Sequence, residues 1–224
     1  MIPQVFGEEV MAHAGPVPIT ATMVTSTVVS LALVATGTLL ARLALVRPES
    51  RTASTARLAH GALERLVVDA AGTRDPAVSG IAVALFAFIA GSAMLGQLPG
   101  IRPPTANIET TSALAIVVFL AVPILGVARR GLRAYLRGYF RPNPLFAPLH
   151  LVSEVSRTLA LALRLFGNMM SGHLVVALLV ALAGLLVPVP LMALDLLIGV
   201  LQAYIFTVLA CVYLGAALGA GEST

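Results

Sequence analysis

Residues 149–187 read LHLVSEVSRTLALALRLFGNMMSGHLVVALLVALAGLLV. A helix over this stretch would be ~58 Å long at 1.5 Å per residue, against a hydrocarbon core of ~30 Å. It therefore tilts strongly or bends across a membrane. It also carries Glu154, Arg157, Arg164, Asn168 and His173. Gly184 to Pro190 is a turn candidate. The run 189–220 follows, interrupted only by Asp195 and Gln202. Two overlong apolar segments joined by a short turn predict a long, tilted antiparallel hairpin.

The rest of the chain agrees with a membrane protein. Of 224 residues, 58% are hydrophobic and only 11% are charged, with a mean hydropathy of +0.97. A soluble domain carries ~25% charged residues, so an ordinary soluble domain, a disordered chain and a secreted disulfide scaffold are all excluded. The one cysteine, Cys211, lies in an apolar run and offers no disulfide framework. The class is an all-α membrane protein with about five crossing helices and one interfacial amphipathic helix, built as a single membrane domain over 1–224.

Upstream of the hairpin, residues 19–41 are uncharged and long enough for a first span. The start before them holds Glu8, Glu9 and His13 but no Arg, unlike the basic beginning of a secretory signal. Gly15-Pro16-Val17-Pro18 breaks the backbone there. In the polar stretch 42–75, Ala59, Ala62, Leu63, Leu66, Val67 and Ala70 recur at helical spacing. They predict an amphipathic helix over 56–72, on the membrane surface or as a plain connector. Residues 77–99 and 110–128 form a second hairpin across the membrane, joined by a loop holding Arg102 and Pro103-Pro104.

All fourteen cations are Arg. Eleven fall in two stretches, 42–74 and 129–141, with Tyr135, Tyr139, Phe140 and Phe146 beside the second. The positive-inside rule puts both in the cytoplasm, the N-terminus outside and, after five crossings, the C-terminus inside. This alternation explains the basic loops better than nucleic-acid binding does.

An ionisable residue within the hydrocarbon costs several kcal/mol and faces protein or a wet cavity. Arg164 is a permanent cation, with no suitable acid nearby on its own helix; headgroup snorkelling is the bland alternative. In a hairpin folding near Gly184, His173 meets Asp195 at one depth and Arg164 meets Gln202 at a deeper one. Arg164 and Asn168 share a face, as do Asp195 and Gln202, whereas Arg164 and His173 are about 180° apart. His173 and Asp195 form either a proton relay, since His titrates near neutrality, or a salt bridge stapling the hairpin. Ser171, His173 and Asp195 contain the members of a hydrolase triad, but Ser171 and His173 do not face each other. No metal-ligand spacing or phosphate loop occurs.

The string SRTLALALRLFGNM over Ser156–Met169 resembles subunit a of the rotary F-type ATP synthase, in a compact bacterial form. LQAYIFTVL over Leu201–Leu209 is similar to that family's last-helix motif, and Pro104-Thr105-Ala106-Asn107 to its external loop. The match is closest over 140–215, looser over 76–128 and weakest before that. The resemblance implies that the two long helices lie against a rotating ring of c subunits, with b-type peripheral-stalk subunits, the rest of the complex and membrane lipid as further partners. It implies a bacterial inner-membrane protein with no ATP site, no cofactor and no metal. Two offset half-channels would carry H+ or Na+ to and from the ring carboxylates.

By the same resemblance, Arg164 is the essential separator. A fixed cation keeps a passing ring carboxylate ionised, and Arg does so better than Lys, which can lose its proton when buried. His173 and Asp195 match the inlet pair; Asn168 and Gln202 match polar neighbours of the separator. Glu109, His150 and Glu154 are candidates for the half-channel mouths. The chain departs from the family pattern at His150, where a Glu is frequent, at Thr158, where Pro is frequent, and at Asn107, where an acid is common. A stand-alone ion or solute transporter is the alternative, although no internal repeat of the kind transporters often carry is evident.

Overall fold

The computed structural model of the chain describes residues 10–14, 17–46, 51–97, 103–133, 135, 147–184, 187 and 189–219. Arg102, Arg137, Arg141, Tyr139, Phe140, Phe146 and Pro188 lie outside the described residues, as do Glu8 and Glu9. The elements are α1 (Ala21–Val46), α2 (Arg51–Ala71), α3 (Pro76–Leu95), a 3-10 turn (Pro104–Ala106), α4 (Ile108–Arg130), α5 (Ala147–Ala183) and α6 (Val189–Leu218). The molecule is all-α in its bulk. One feature lies beyond the sequence expectation: the chain around the Gly15-Pro16 break forms a small antiparallel hairpin, β1 (Val10–Ala14) and β2 (Val17–Thr20), with Ala14 opposite Val17.

Local chemistry sets several helix ends. Asp75 caps α3 by accepting from the Ala77 N–H at 2.9 Å, and Pro76 occupies the first turn, where its missing N–H costs nothing. Asn107 caps α4 through its side-chain oxygen and the Glu109 N–H, 3.0 Å apart. Helix α5 ends at Gly184, whose φ of +77° is left-handed and suits glycine. The next helix begins at Val189, so the last two residues of the expected turn, Val189 and Pro190, are helical.

Helix α6 is the hub. It packs most extensively on α3 and also meets α2, α4 and α5. Gly199, Ala203, Phe206, Ala210, Cys211, Leu214 and Gly215 are buried along it. Small residues let its neighbours approach closely, as membrane helix pairs require. At Gly215 an added Cβ would overlap the backbone of Ala71, so α2 is seated directly on α6 by its last turn. Val67 and Ala71 of α2 join Val78, Ala82, Cys211 and Leu214 in one apolar cluster. A second cluster joins Leu85 and Ile89 of α3, Ala115 and Val118 of α4, Leu161 and Leu165 of α5, and Phe206 of α6.

Helices α3, α4, α5 and α6 are long and apolar enough to cross a membrane, whereas the apolar part of α1 described, Val24–Thr38, is shorter. At the basic side, Arg129 pairs with Asp75 at 2.9 Å. That bond ties the end of α4 to the start of α3, as an antiparallel hairpin requires. The long segment is one unbroken helix of 37 residues.

Candidate functional site

Helix α5 has two unlike faces. Leu161, Ala162, Leu165 and Met169 are buried against the bundle. Leu159, Leu163, Leu178 and Leu182 are exposed, and Arg157, Arg164, Gly167 and Ser171 share that outward side. The separation follows from helical geometry, since residues three, four and seven apart stack on one face. Arg164 is exposed in the middle of this apolar face. Among the described residues no hydrogen bond or ion pair engages its guanidinium. Asn168, one turn on, is half-buried, and its carbonyl accepts from the Ser171 hydroxyl at 3.1 Å.

A polar group forms where α3, α5 and α6 converge, near the α5–α6 turn. The Asp195 carboxylate lies against Gly172 of α5, where an added Cβ would overlap its Oδ1. Its Oδ2 accepts from the Gln97 amide just beyond α3, at 3.4 Å. Asp195 is thus held between two other helices. The Gly172 contact is one residue from the expected His173–Asp195 level. His173 sits on α5 at that level, and its side chain lies outside the described residues.

Gln202 is two turns along α6 from Asp195. It is only 6% exposed, and its Nε2 has no hydrogen-bond partner among the described residues. The structure therefore does not join Gln202 to Arg164: one side chain points into the bundle and the other out of it. Glu109 is exposed in the first turn of α4, and no described contact links its carboxylate to Asp195.

At the other end of the bundle a cavity of about 330 Å³ opens between α4, α5 and α6. His150, Glu154 and Arg157 of α5, Arg130 of α4, Tyr213 of α6, and Tyr135 just beyond α4 line it. The structure brings His150 and Glu154 into this one cavity, one turn apart. The Arg157 guanidinium stacks over the Tyr213 ring, 4.4 Å from its centroid. No group of three or more His, Cys, Asp or Glu among the described residues could hold a metal ion.

The sequence reading missed Gln97, Gly172 and Tyr213. Gln97 had a signal, as the polar residue near the end of an otherwise apolar span. Gly172 and Tyr213 had none, because their roles depend on which residue lies opposite.

The family model described as ATP synthase A chain matches residues 20–215. ATP synthase subunit a 2 of a Bradyrhizobium strain is 43% identical over 214 residues, covering 92% of each chain. ATP synthase subunit a 2 of Acaryochloris marina is 50% identical over 133 residues, 59% of this chain and 57% of its own. ATP synthase subunit a of Albidiferax ferrireducens is 45% identical over 151 residues, 67% of this chain and 65% of its own.

Proposed function

Because the chain belongs to the ATP synthase A chain family, we propose that its α5–α6 hairpin passes ions to and from a rotating ring of carboxylate-bearing c subunits. The chain is a subunit a of an F-type ATP synthase, a non-catalytic, membrane-embedded part of that complex in a bacterial membrane. The single observation that carries the ion-transfer reading is Arg164. It is a permanent cation, exposed on an apolar helix face, with no partner among the described residues. Such a charge is stable in a membrane only against an anion or water supplied from outside the chain, and a ring of acids supplies that anion.

Under this reading the two polar regions are the two half-channels. Asp195, with His173 at its level, forms the inlet, and Gln97 holds the carboxylate in place. Protons move along it because an imidazole and a carboxylate can each take and release one. The cavity at His150 and Glu154 is the cytoplasmic exit. The two regions lie on either side of Arg164 along α5, and its charge between them keeps an ion from crossing without riding the ring. Glu109 marks the outer mouth. The N-terminus lies outside and the C-terminus in the cytoplasm, with b-type stalk subunits beside the ring.

The test is Arg164→Ala in the assembled complex. ATP-driven ion pumping is expected to fall to background while the complex still forms and hydrolyses ATP. Retained coupled pumping overturns the reading.

A further inference from the structure

Beyond Arg164, we infer that Arg157 is a second ring-facing cation, held in place by Tyr213, which drives proton release into the cytoplasmic cavity. This rests on the half-channel reading above and adds a residue and a role to it.

Four observations carry the inference. Arg157 and Arg164 are seven residues apart on one helix, which places them within about 20° on the same face. Both are exposed there. Arg157 is roughly 10 Å nearer the cavity end by helical rise, and it lines that cavity beside Glu154 and His150. Its guanidinium does not float: it stacks on Tyr213 across the α5–α6 seam at 4.4 Å, inside the range where a cation is attracted to a ring face.

The other titratable and charged groups around that cavity are His150 and Glu154 on α5, Arg130 on α4, Tyr135 just beyond it, and Tyr213 on α6. A ring carboxylate at the level of Arg164 therefore meets a second fixed positive charge on its cytoplasmic side. Both cations favour the ionised carboxylate. The proton leaves the carboxyl oxygen for the cavity, and the carboxylate stays behind facing two guanidinium groups. At ~10 Å and an effective dielectric of ~20, the second charge is worth about one pH unit of proton release.

The experiment reconstitutes the whole complex in liposomes. It measures ATP synthesis driven by an imposed gradient while the pH on the cytoplasmic side is varied. Without Arg157 the ring holds its proton more firmly at the exit, so release needs a more alkaline cytoplasm. Arg157→Gln is expected to move the half-maximal cytoplasmic pH up by about one unit. Arg157→Lys keeps the charge and stays near the parent value. Tyr213→Leu, which removes the ring face, shifts the profile as Arg157→Gln does, while Tyr213→Phe, which keeps it, does not. An unmoved profile in Arg157→Gln overturns the inference, and so does a Tyr213→Leu profile matching Tyr213→Phe. Arg164→Ala in the same vesicles separates the two levels. Synthesis abolished there with an unmoved Arg157→Gln profile removes the second cation alone, whereas synthesis retained there removes the half-channel reading and this inference with it.

Discussion

At residue scale, the unusual positions are those where a side chain is allowed by what its neighbour lacks. Asp195 fits because residue 172 is glycine. A methyl group there collides with the carboxylate, which can swing away at small cost in stability. Gly172→Ala is therefore expected to leave assembly intact but to draw Asp195 off Gln97. Passive proton conduction through the membrane sector should drop by up to about 100-fold, as a displacement near 1 Å can cause. Conduction equal to the parent would show that the orientation of Asp195 is not critical. Gln202 presents a different case. Its amide nitrogen is buried with no partner among the described residues, an arrangement that costs about 1–3 kcal/mol. Gln202→Leu should thus be neutral or slightly stabilising in a thermal melt of the complex, and any loss of coupling in that variant belongs to function rather than folding.

At the scale of elements, two contacts join helices through the backbone or its caps. Gly215 of α6 meets the main chain of Ala71, which cannot rotate away as a side chain can. Gly215→Val forces α2 off α6, at a cost of about 1–3 kcal/mol for overpacking. It should show as faster proteolysis within 51–71 and a lower Tm. Asp75 both caps α3 and pairs with Arg129. Asp75→Ala removes both interactions and should lower stability by about 1–2 kcal/mol, whereas Asp75→Asn keeps the cap and loses less. A melt in which the two substitutions are equal would assign the whole effect to the ion pair. The runs expected at 77–99, 110–128, 149–187 and 189–220 overlap helices α3, α4, α5 and α6, which end at Leu95, Arg130, Ala183 and Leu218, because hydropathy and length govern spans almost alone. The amphipathic helix was legible too, but not its seat, since a helix pattern shows which face is apolar without showing what covers it. The small β-hairpin was not read at all; a Gly-Pro break says that a helix stops and not what forms beside it.

At the scale of the whole molecule, the two faces of the bundle differ. One packs α3, α4 and α6 together, and the other leaves the α5 leucines and Arg164 uncovered. The proposed ring covers this second face. Orientation is tested by labelling with an impermeant maleimide, a reaction for which buried Cys211 gives little background. Arg133→Cys should react only from the cytoplasmic side and Glu109→Cys only from the outside. The opposite pattern would invert the inlet and exit.

The amino-acid order alone determined the all-α membrane class and the long apolar runs from which it was read. Each of these follows from local composition, since a bilayer sorts residues by polarity one position at a time. It did not fix the register of the α5–α6 hairpin: Asp195 lies against Gly172, and Gln202 is buried away from the exposed Arg164. Only the tertiary structure decided which face each polar group takes: that Gln202 points inward while Arg164 points outward, that Gln97 reaches Asp195, and that Tyr213 carries Arg157. The two contacts, Gln97–Asp195 and Arg157–Tyr213, join residues 98 and 56 positions apart. No local pattern encodes them, because they arise from the close approach of separate helices, as at Gly172.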